Sequence, residues 1–250
     1  MSWTSTSLSQ DLIRLGLSHG DTVLVHSSYK SLGPDGGEPA DVVRSLLDAV
    51  GPNGNVMFPA HTWVGANAEN PPSFHPLKPS ARVGIIPECG RCWPGATRSI
   101  HPTHSVSAIG PDSRWLTEGH YDGGICGIGS PYDRLCQQPN GTGKILLLGV
   151  DHERNTSLHM VEELLDIPGA LNGYADCLVT GWDGDERMRR TQFHTWKERR
   201  FMVIDGDLDR LGIQTKGLVA QAICRLVDAA RLREYVSQRL TEDPNLFWVD

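Results

Sequence analysis

No run of apolar residues in this chain reaches the roughly 18 that a membrane-spanning helix needs, and none is expected to cross or bind a membrane. The first residues, "MSWTSTSLSQDLIRLGL", lack a basic segment followed by an apolar one, so no secretory signal is read there. Cysteines are few and scattered. Cys89 and Cys92 form a lone C-x-x-C with no second pair to complete a zinc ribbon, which points to reduced thiols in the cytoplasm. Positive charge is also short. With 23 Lys and Arg against 30 Asp and Glu, the formal net charge is −7, which argues against a nucleic-acid binder and is compatible with a cationic small-molecule partner. Internal repeats and sharp linkers are missing, and 250 residues read as a single domain, 1–250.

What is present alternates between helical and strand patterns. "SLSQDLIRLGL" carries near-helical spacing with Ser7 as its expected N-cap, and "EPADVVRSLLDAVG" is a helix with Pro39 in its first turn and Gly51 as its stop. "GDTVLVHSS", "NVMFPA", "SVSAIG" and "KILLLGV" read as strands. Residues 61–82 are rich in Pro, Asn and Gly and form a long loop, the length at which a functional lid becomes the expectation. A late hairpin spans about 176–194 and turns at Asp183–Gly184. "GLVAQAICRLVD" reads as one strand and "AARLREYVSQRL" as a closing helix. The fold class is therefore α/β, a three-layer α/β/α sandwich with a mixed central sheet.

Chemistry concentrates where "KILLL" ends. "GVDHERNTSLHMVEE" places His152, Asp151, Glu153, Thr156, His159 and Glu162 just beyond the carboxyl end of a buried strand, where open α/β sheets bind ligands. His159 and Glu162 are three apart on one helix face. A carboxylate that orients an imidazole is the usual arrangement of a general base. The plain alternative is a capped amphipathic helix whose histidine only packs. "SIHPTHSVSAIG" adds His101 and His104 before a strand, with turn and capping roles favoured over metal binding. "VHSSYKSLGPDGG" leaves a strand into a Ser- and Gly-rich loop that can present N–H groups to phosphates, without a P-loop or dinucleotide signature.

Together these segments resemble the aminoglycoside N3-acetyltransferase family, the antibiotic-modifying enzymes unrelated to the GNAT fold. "GDTVLVHSSYKSLG", "SIHPTHSVSAIGP", "GIGSPYDRLCQQPNGTGKILLLGV" and "NTSLHMVEE" follow one another in the family's order, with "GLVAQAICRL" echoing its C-terminal part. The resemblance implies transfer of an acetyl group from acetyl-CoA, the co-substrate, to an amine by direct attack in a ternary complex. It implies that His159 is the catalytic base, with Glu162 orienting it and Thr156 near the thioester. It assigns the CoA site to His26, Ser27, Ser28, Leu32 and Gly33. Basic side chains Lys30, Lys78, Arg82 and Arg98 are expected near the phosphates. Asp151, Glu153 and His194 are expected at the acceptor. Antibiotic-modifying members carry acids after the second hairpin strand, whereas this chain reads "FHTWK", with His194 and Lys197 in their place. No metal is assigned. Two other readings stay open: a metal-dependent hydrolase built on His101, His104 and His194, and a non-catalytic CoA-binding relative. The oligomeric state is open too.

Overall fold

Side chains on successive residues of the central strands point to opposite faces of a sheet, and this divides the protein into two cores. The computed structural model describes residues 2–62, 65–80 and 82–249. Its strands are β1 (Thr22–Ser27), β2 (Asn55–Pro59), β3 (Thr97–Arg98), β4 (Val106–Ile109), β5 (Gly143–Leu148), β6 (Leu171–Thr180), β7 (Glu186–His194), β8 (Gln214–Val219) and β9 (Ala222–Asp228). Its helices are α1 (Ser5–Leu15), α2 (Pro39–Val50), α3 (Ile85–Arg91), α4 (Ser113–Thr117), α5 (Pro131–Cys136), α6 (Ser157–Leu164), α7 (Asp205–Arg210) and α8 (Ala229–Glu242). In β1, Val23 and Val25 enter a core shared with α1, α2 and Ile86 of α3. Leu24 enters the opposite core, built with α4 to α8. The expected three layers are present, with helices on both faces of a seven-stranded sheet ordered β3-β4-β2-β1-β5-β9-β8.

The sheet is mixed. β1 pairs in parallel with both β2 and β5, and the outer pairings are antiparallel. Since β1 lies between β2 and β5, the chain leaves the carboxyl ends of β1 and β5 side by side. That is the crevice where such sheets hold ligands. Gly149 makes the exit from β5 possible. Its φ is +67°, and a Cβ there would lie 2.5 Å from Cβ of Ser31. The Ser31 hydroxyl donates to the Gly149 carbonyl at 3.0 Å, which ties the loop after β1 to the turn after β5.

Three local readings need correction. Helix α1 is capped by Thr4, not Ser7. Ser7 sits at N3, where its hydroxyl accepts from the Thr4 N–H at 2.8 Å while its own N–H donates to Thr4 Oγ1 at 3.2 Å. "GLVAQAICRLVD" is not one strand. Ala220, at φ +49°, turns the chain between β8 and β9, which pair antiparallel. Its apolar residues face both ways because they belong to two strands. The hairpin β6–β7 begins at Leu171, earlier than read, with a bulge between Asn172 and Tyr174.

This hairpin is a separate two-stranded sheet. It packs Cys177, Val179 and Phe193 against Ala66 and Phe74 of the long loop, and Phe74 bridges Val179. Arg98 staples the same loop to the body. Buried in place, it donates to the carbonyls of Pro76, Lys78 and Ala60 at 2.8, 2.6 and 2.6 Å. Loop and hairpin thus form one cover beside the crevice. Residues 65–80 of the long loop are therefore anchored rather than loose.

Helix α3 presses on β2 through Gly90, where a Cβ would lie 2.3 Å from the fully buried Phe58 ring. Glycine to alanine inside a helix ordinarily stabilises by about 1 kcal/mol, but overpacking of about 1–3 kcal/mol outweighs it here. Gly90→Ala is expected to lower the melting temperature by several degrees in calorimetry. An unchanged or raised midpoint would show that the α3–β2 contact is not this tight.

Candidate active site

Leaving β5, the chain makes a short 3₁₀ turn, His152–Arg154, capped by Asp151, whose carboxylate accepts from the Glu153 N–H. It then starts α6. The side chain of Asn155 accepts from the Ser157 N–H at 3.2 Å and so caps this helix, with Thr156 at the N-cap position. His159 falls in the first turn. Its Nδ1 lies 2.7 Å from Glu162 Oε2, and both oxygens of Glu162 accept from Arg199 Nε, at 2.9 and 3.1 Å. Burial alone would raise the Glu162 carboxyl. The hydrogen bond from His159 and the Arg199 guanidinium outweigh it and hold the group below the ordinary carboxylate range. An ionised Glu162 fixes the proton on Nδ1 of His159, which leaves the Nε2 lone pair as the basic site.

Glu163 does something different. Its carboxylate accepts the N–H groups of Ile125, Cys126 and Gly127 at 2.9, 2.8 and 3.0 Å, which shapes the glycine-rich segment before α5.

Two cavities meet at His159. The larger, of about 830 Å³, runs along the ends of β1 and β5 and is lined by His26, Ser27, Ser28 and Thr156. The smaller, of about 230 Å³, lies under the hairpin end and is lined by His104, Phe193, His194 and the segment Thr195–Lys197. His159, Glu153, His104 and Phe201 line both. In the groove, His26 Nε2 and Ser27 Oγ are buried with no hydrogen-bond partner among the described residues. Polar atoms in that state call for a ligand's hydrogen bonds.

The expected residues divide between these cavities and the scaffold. His26, Ser27, Ser28 and Thr156 line the groove, whereas the Leu32 side chain is fully buried in the core. Gly33 ends the 3₁₀ turn Tyr29–Leu32 at φ +102°, beside Gln221, and shapes the loop. Among the basic side chains, Lys30 and Arg82 reach the groove wall, as does Arg154. Arg98 does not, because its guanidinium is committed to the loop carbonyls. Glu153 lines both cavities and His194 the smaller one, whereas Asp151 is not in the wall of either.

Sequence reasoning missed His61, Tyr132 and Arg199. His61 Nε2 is 3.2 Å from the Tyr132 hydroxyl, which in turn is within hydrogen-bonding reach of Thr156. Arg199 lies 37 positions beyond Glu162, so no local spacing could reveal the pair.

Histidines crowd this region. The ring of His61 is 4.6 Å from that of His104, His104 is 5.2 Å from His194, and His194 is 4.8 Å from His159. His101 stacks on His120 at 4.5 Å. His152 stands apart, with Nε2 bonded to Gln214 at 2.9 Å, so it does not join the pocket its sequence neighbours suggested. Among the described residues, two sets bring potential metal ligands within 4.8 Å of one another: His104 with Cys126 and His194, and His159 with Glu162 and His194. His101 belongs to neither set. Its Nδ1 accepts the N–H groups of Thr103 and His104 at 3.2 and 3.0 Å, the turn role expected of it.

Comparison with known proteins agrees with this geometry. The sequence pattern of the family described as Aminoglycoside 3-N-acetyltransferase matches residues 24–241. The chain is similar to aminoglycoside N(3)-acetyltransferase III from Salmonella sp, 32% identical over 252 residues, covering 90% of this chain and 87% of that protein. The fold is similar to that of AAC-IIIb in its binary complex with CoASH, at a TM-score of 0.84 and 28% identity, covering 97% of each chain. It is similar also to AAC-VIa bound to sisomicin, at a TM-score of 0.81 and 27% identity, covering 97% of this chain and 98% of that one.

Burial holds His26 and His61 down to about 3 and His120 to about 4, against an ordinary 6.5, so these rings are neutral in the folded protein. The folded state then binds fewer protons than the unfolded one below 6.5, and its stability falls as pH falls. Each such ring costs about 1 kcal/mol between pH 6.5 and 5.5. Urea unfolding is expected to show a loss of at least about 3 kcal/mol across that interval from these three rings, with His101, His104 and His194, which burial also holds well below 6.5, adding to it. A flat profile would mean that these histidines are not held neutral.

Proposed function

Because the chain belongs to the aminoglycoside 3-N-acetyltransferase family, we propose that it moves an acetyl group from acetyl-CoA to an amine of an aminoglycoside or related amino compound. The observation that carries this reading is the position of His159. Its imidazole is held by a carboxylate at the place where a long groove and a small pocket meet. Acetyl-CoA lies along the groove, where its pantetheine amides meet the unpartnered His26 and Ser27 and its phosphates meet the basic side chains Lys30, Arg82 and Arg154. The acceptor enters the pocket under the hairpin. Nε2 of His159 takes the proton of the attacking amine, and Glu162 stabilises the imidazolium that results. The hydroxyl of Thr156, at the head of α6, donates toward the thioester oxygen.

The wider setting follows from the same features. We read the chain as one acetyltransferase domain with the hairpin and long loop as its cover. The free cysteines, from buried Cys126 to exposed Cys92, favour a reducing cytoplasm. No described helix is long and apolar enough to cross a membrane.

His159→Ala is expected to leave the fold and CoA binding intact while lowering kcat by about 10²–10⁴-fold. Thr156→Ala is expected to lower kcat by up to about 10²–10³-fold. Glu162→Gln lowers kcat less but costs about 3 kcal/mol of stability, because Arg199 is then a buried cation without its anion. Steady-state thiol release, thermal unfolding and CoA titration calorimetry on the same variants check all three. Full turnover in a folded His159→Ala protein would remove the proposed base. Absence of CoA binding by the folded wild type would remove the proposed reaction.

A further inference from the structure

Behind the groove wall lies a buried hydroxyl, that of Tyr132. Ser130 caps α5 by accepting the Asp133 N–H at 3.2 Å, and Pro131 takes the first helical position, so Tyr132 is fixed in the opening turn. Its ring is fully buried in the core that α5 shares with α6, and it lines neither cavity. It therefore does not touch a bound molecule. Its hydroxyl nevertheless meets two side chains that line the groove: Nε2 of His61, at 3.2 Å, and the hydroxyl of Thr156.

Thr156 stands at the N-cap position of α6, yet its side chain makes no capping bond, because Asn155 accepts the Ser157 N–H instead. Its hydroxyl is left to Tyr132 on one side and to the groove on the other. Each contact in this row takes one proton. The oxygen of a thioester brings none, so the Thr156 proton is needed there. The contact between Thr156 and Tyr132 then takes the phenol proton, and the contact between Tyr132 and His61 takes a ring proton. The count closes. Burial pushes the phenol well above its ordinary range and keeps its proton on, and the neutral His61 ring carries one N–H. In the reverse order Tyr132 donates to His61, Thr156 donates to Tyr132, and only lone pairs face the thioester oxygen.

We propose that His61 and Tyr132 are positioning residues for the oxyanion donor. The Nε2–H of His61 donates to the Tyr132 oxygen, and the Tyr132 O–H donates to Thr156, so that the Thr156 proton points into the groove. Donors in a row also polarise one another, which strengthens the last one. The inference rests on the acetyl-transfer reading above and adds the groups that aim its donor.

Tyr132→Phe keeps the ring that fills the core and removes only the O–H. Thiol release from acetyl-CoA is followed with sisomicin and with glucosamine as acceptors, beside CoA titration calorimetry and thermal unfolding of each full-length variant. Tyr132→Phe is expected to lower kcat about tenfold, less than the about 10²–10³-fold of losing the donor itself, with CoA affinity unchanged. In the Thr156→Ala background it is expected to cost nothing more, because no donor is left to aim. His61→Gln, whose amide still offers an N–H, is expected to keep more of kcat than His61→Leu. The relay is overturned, with acetyl transfer intact, if Tyr132→Phe turns over at the wild-type rate or if the two His61 variants are equally slow. It is overturned also if the loss in Tyr132→Phe adds in full to that of Thr156→Ala, as a merely structural role requires. Thr156→Ala at full rate removes the donor and the relay together. A wild type that binds CoA but releases no thiol with either amine overturns the acetyl-transfer reading, and the relay with it.

Discussion

One buried ion pair ties the site together. Glu162 of α6 and Arg199 of the segment after the hairpin meet at 2.9 Å, both almost wholly shielded from water. Taking two charges out of water is costly, and the pair persists only because each remaining polar atom finds a partner. Glu162 spends its other interaction on His159. Arg199 spends its own on the carbonyls of Thr195 and Lys197. The same contact that sets the imidazole therefore also fixes the chain from Thr195 to Arg199, which walls the small pocket. The imidazole and the wall of the small pocket are positioned by one interaction rather than two.

That coupling explains why the hairpin matters although it contributes no strand to the main sheet. Its end delivers Phe193 and His194 to the pocket, and its far part is held by Phe74 and the long loop. Arg98 holds the loop in turn by satisfying its carbonyls from inside. A position that sequence reasoning assigned to phosphate binding is thus an internal staple. Arginine serves both purposes through the same planar set of donors, and only burial separates them.

The sequence was most legible where short-range rules decide. The strands that form β1, β2, β4 and β5 are apolar runs bounded by turn residues, and α2 has its proline and glycine at the expected ends. His159 and Glu162 could be paired because three residues on a helix share a face. Thr4 and Ser7 show the limit of such rules, since both can accept N–H groups and their reciprocal bonding decides which is the cap. Long-range partners were illegible. Arg199, Tyr132 and His61 reach the site from distant segments, and nothing in their own neighbourhoods marks them. Helices α3 to α5 are too short to show a period, so no helix was expected there. Ala220 hid a turn, because no glycine, asparagine or proline announces the left-handed conformation there.

Why the site should hold so many imidazoles follows from their charge state. Desolvation pushes His104 and His194 well below their ordinary value, so each is a neutral group with one nitrogen able to donate a hydrogen bond and one able to accept. Neutral rings around His159 add little field of their own while it is neutral. Protonating them would set positive charge beside the imidazolium that the proposed reaction forms at His159. Burial prevents this near neutral pH, and the carboxylate of Glu162, itself paired with Arg199, is the charged group that touches the imidazole. A general base needs an anion on one nitrogen and one open lone pair facing the substrate. No acyl-enzyme nucleophile is required beside it. Cys126 is fully buried, with its thiol pushed well above the ordinary range by that burial, and is a poor thiolate donor. The two cavities that share His159 suit direct transfer between molecules bound on either side of a single ring.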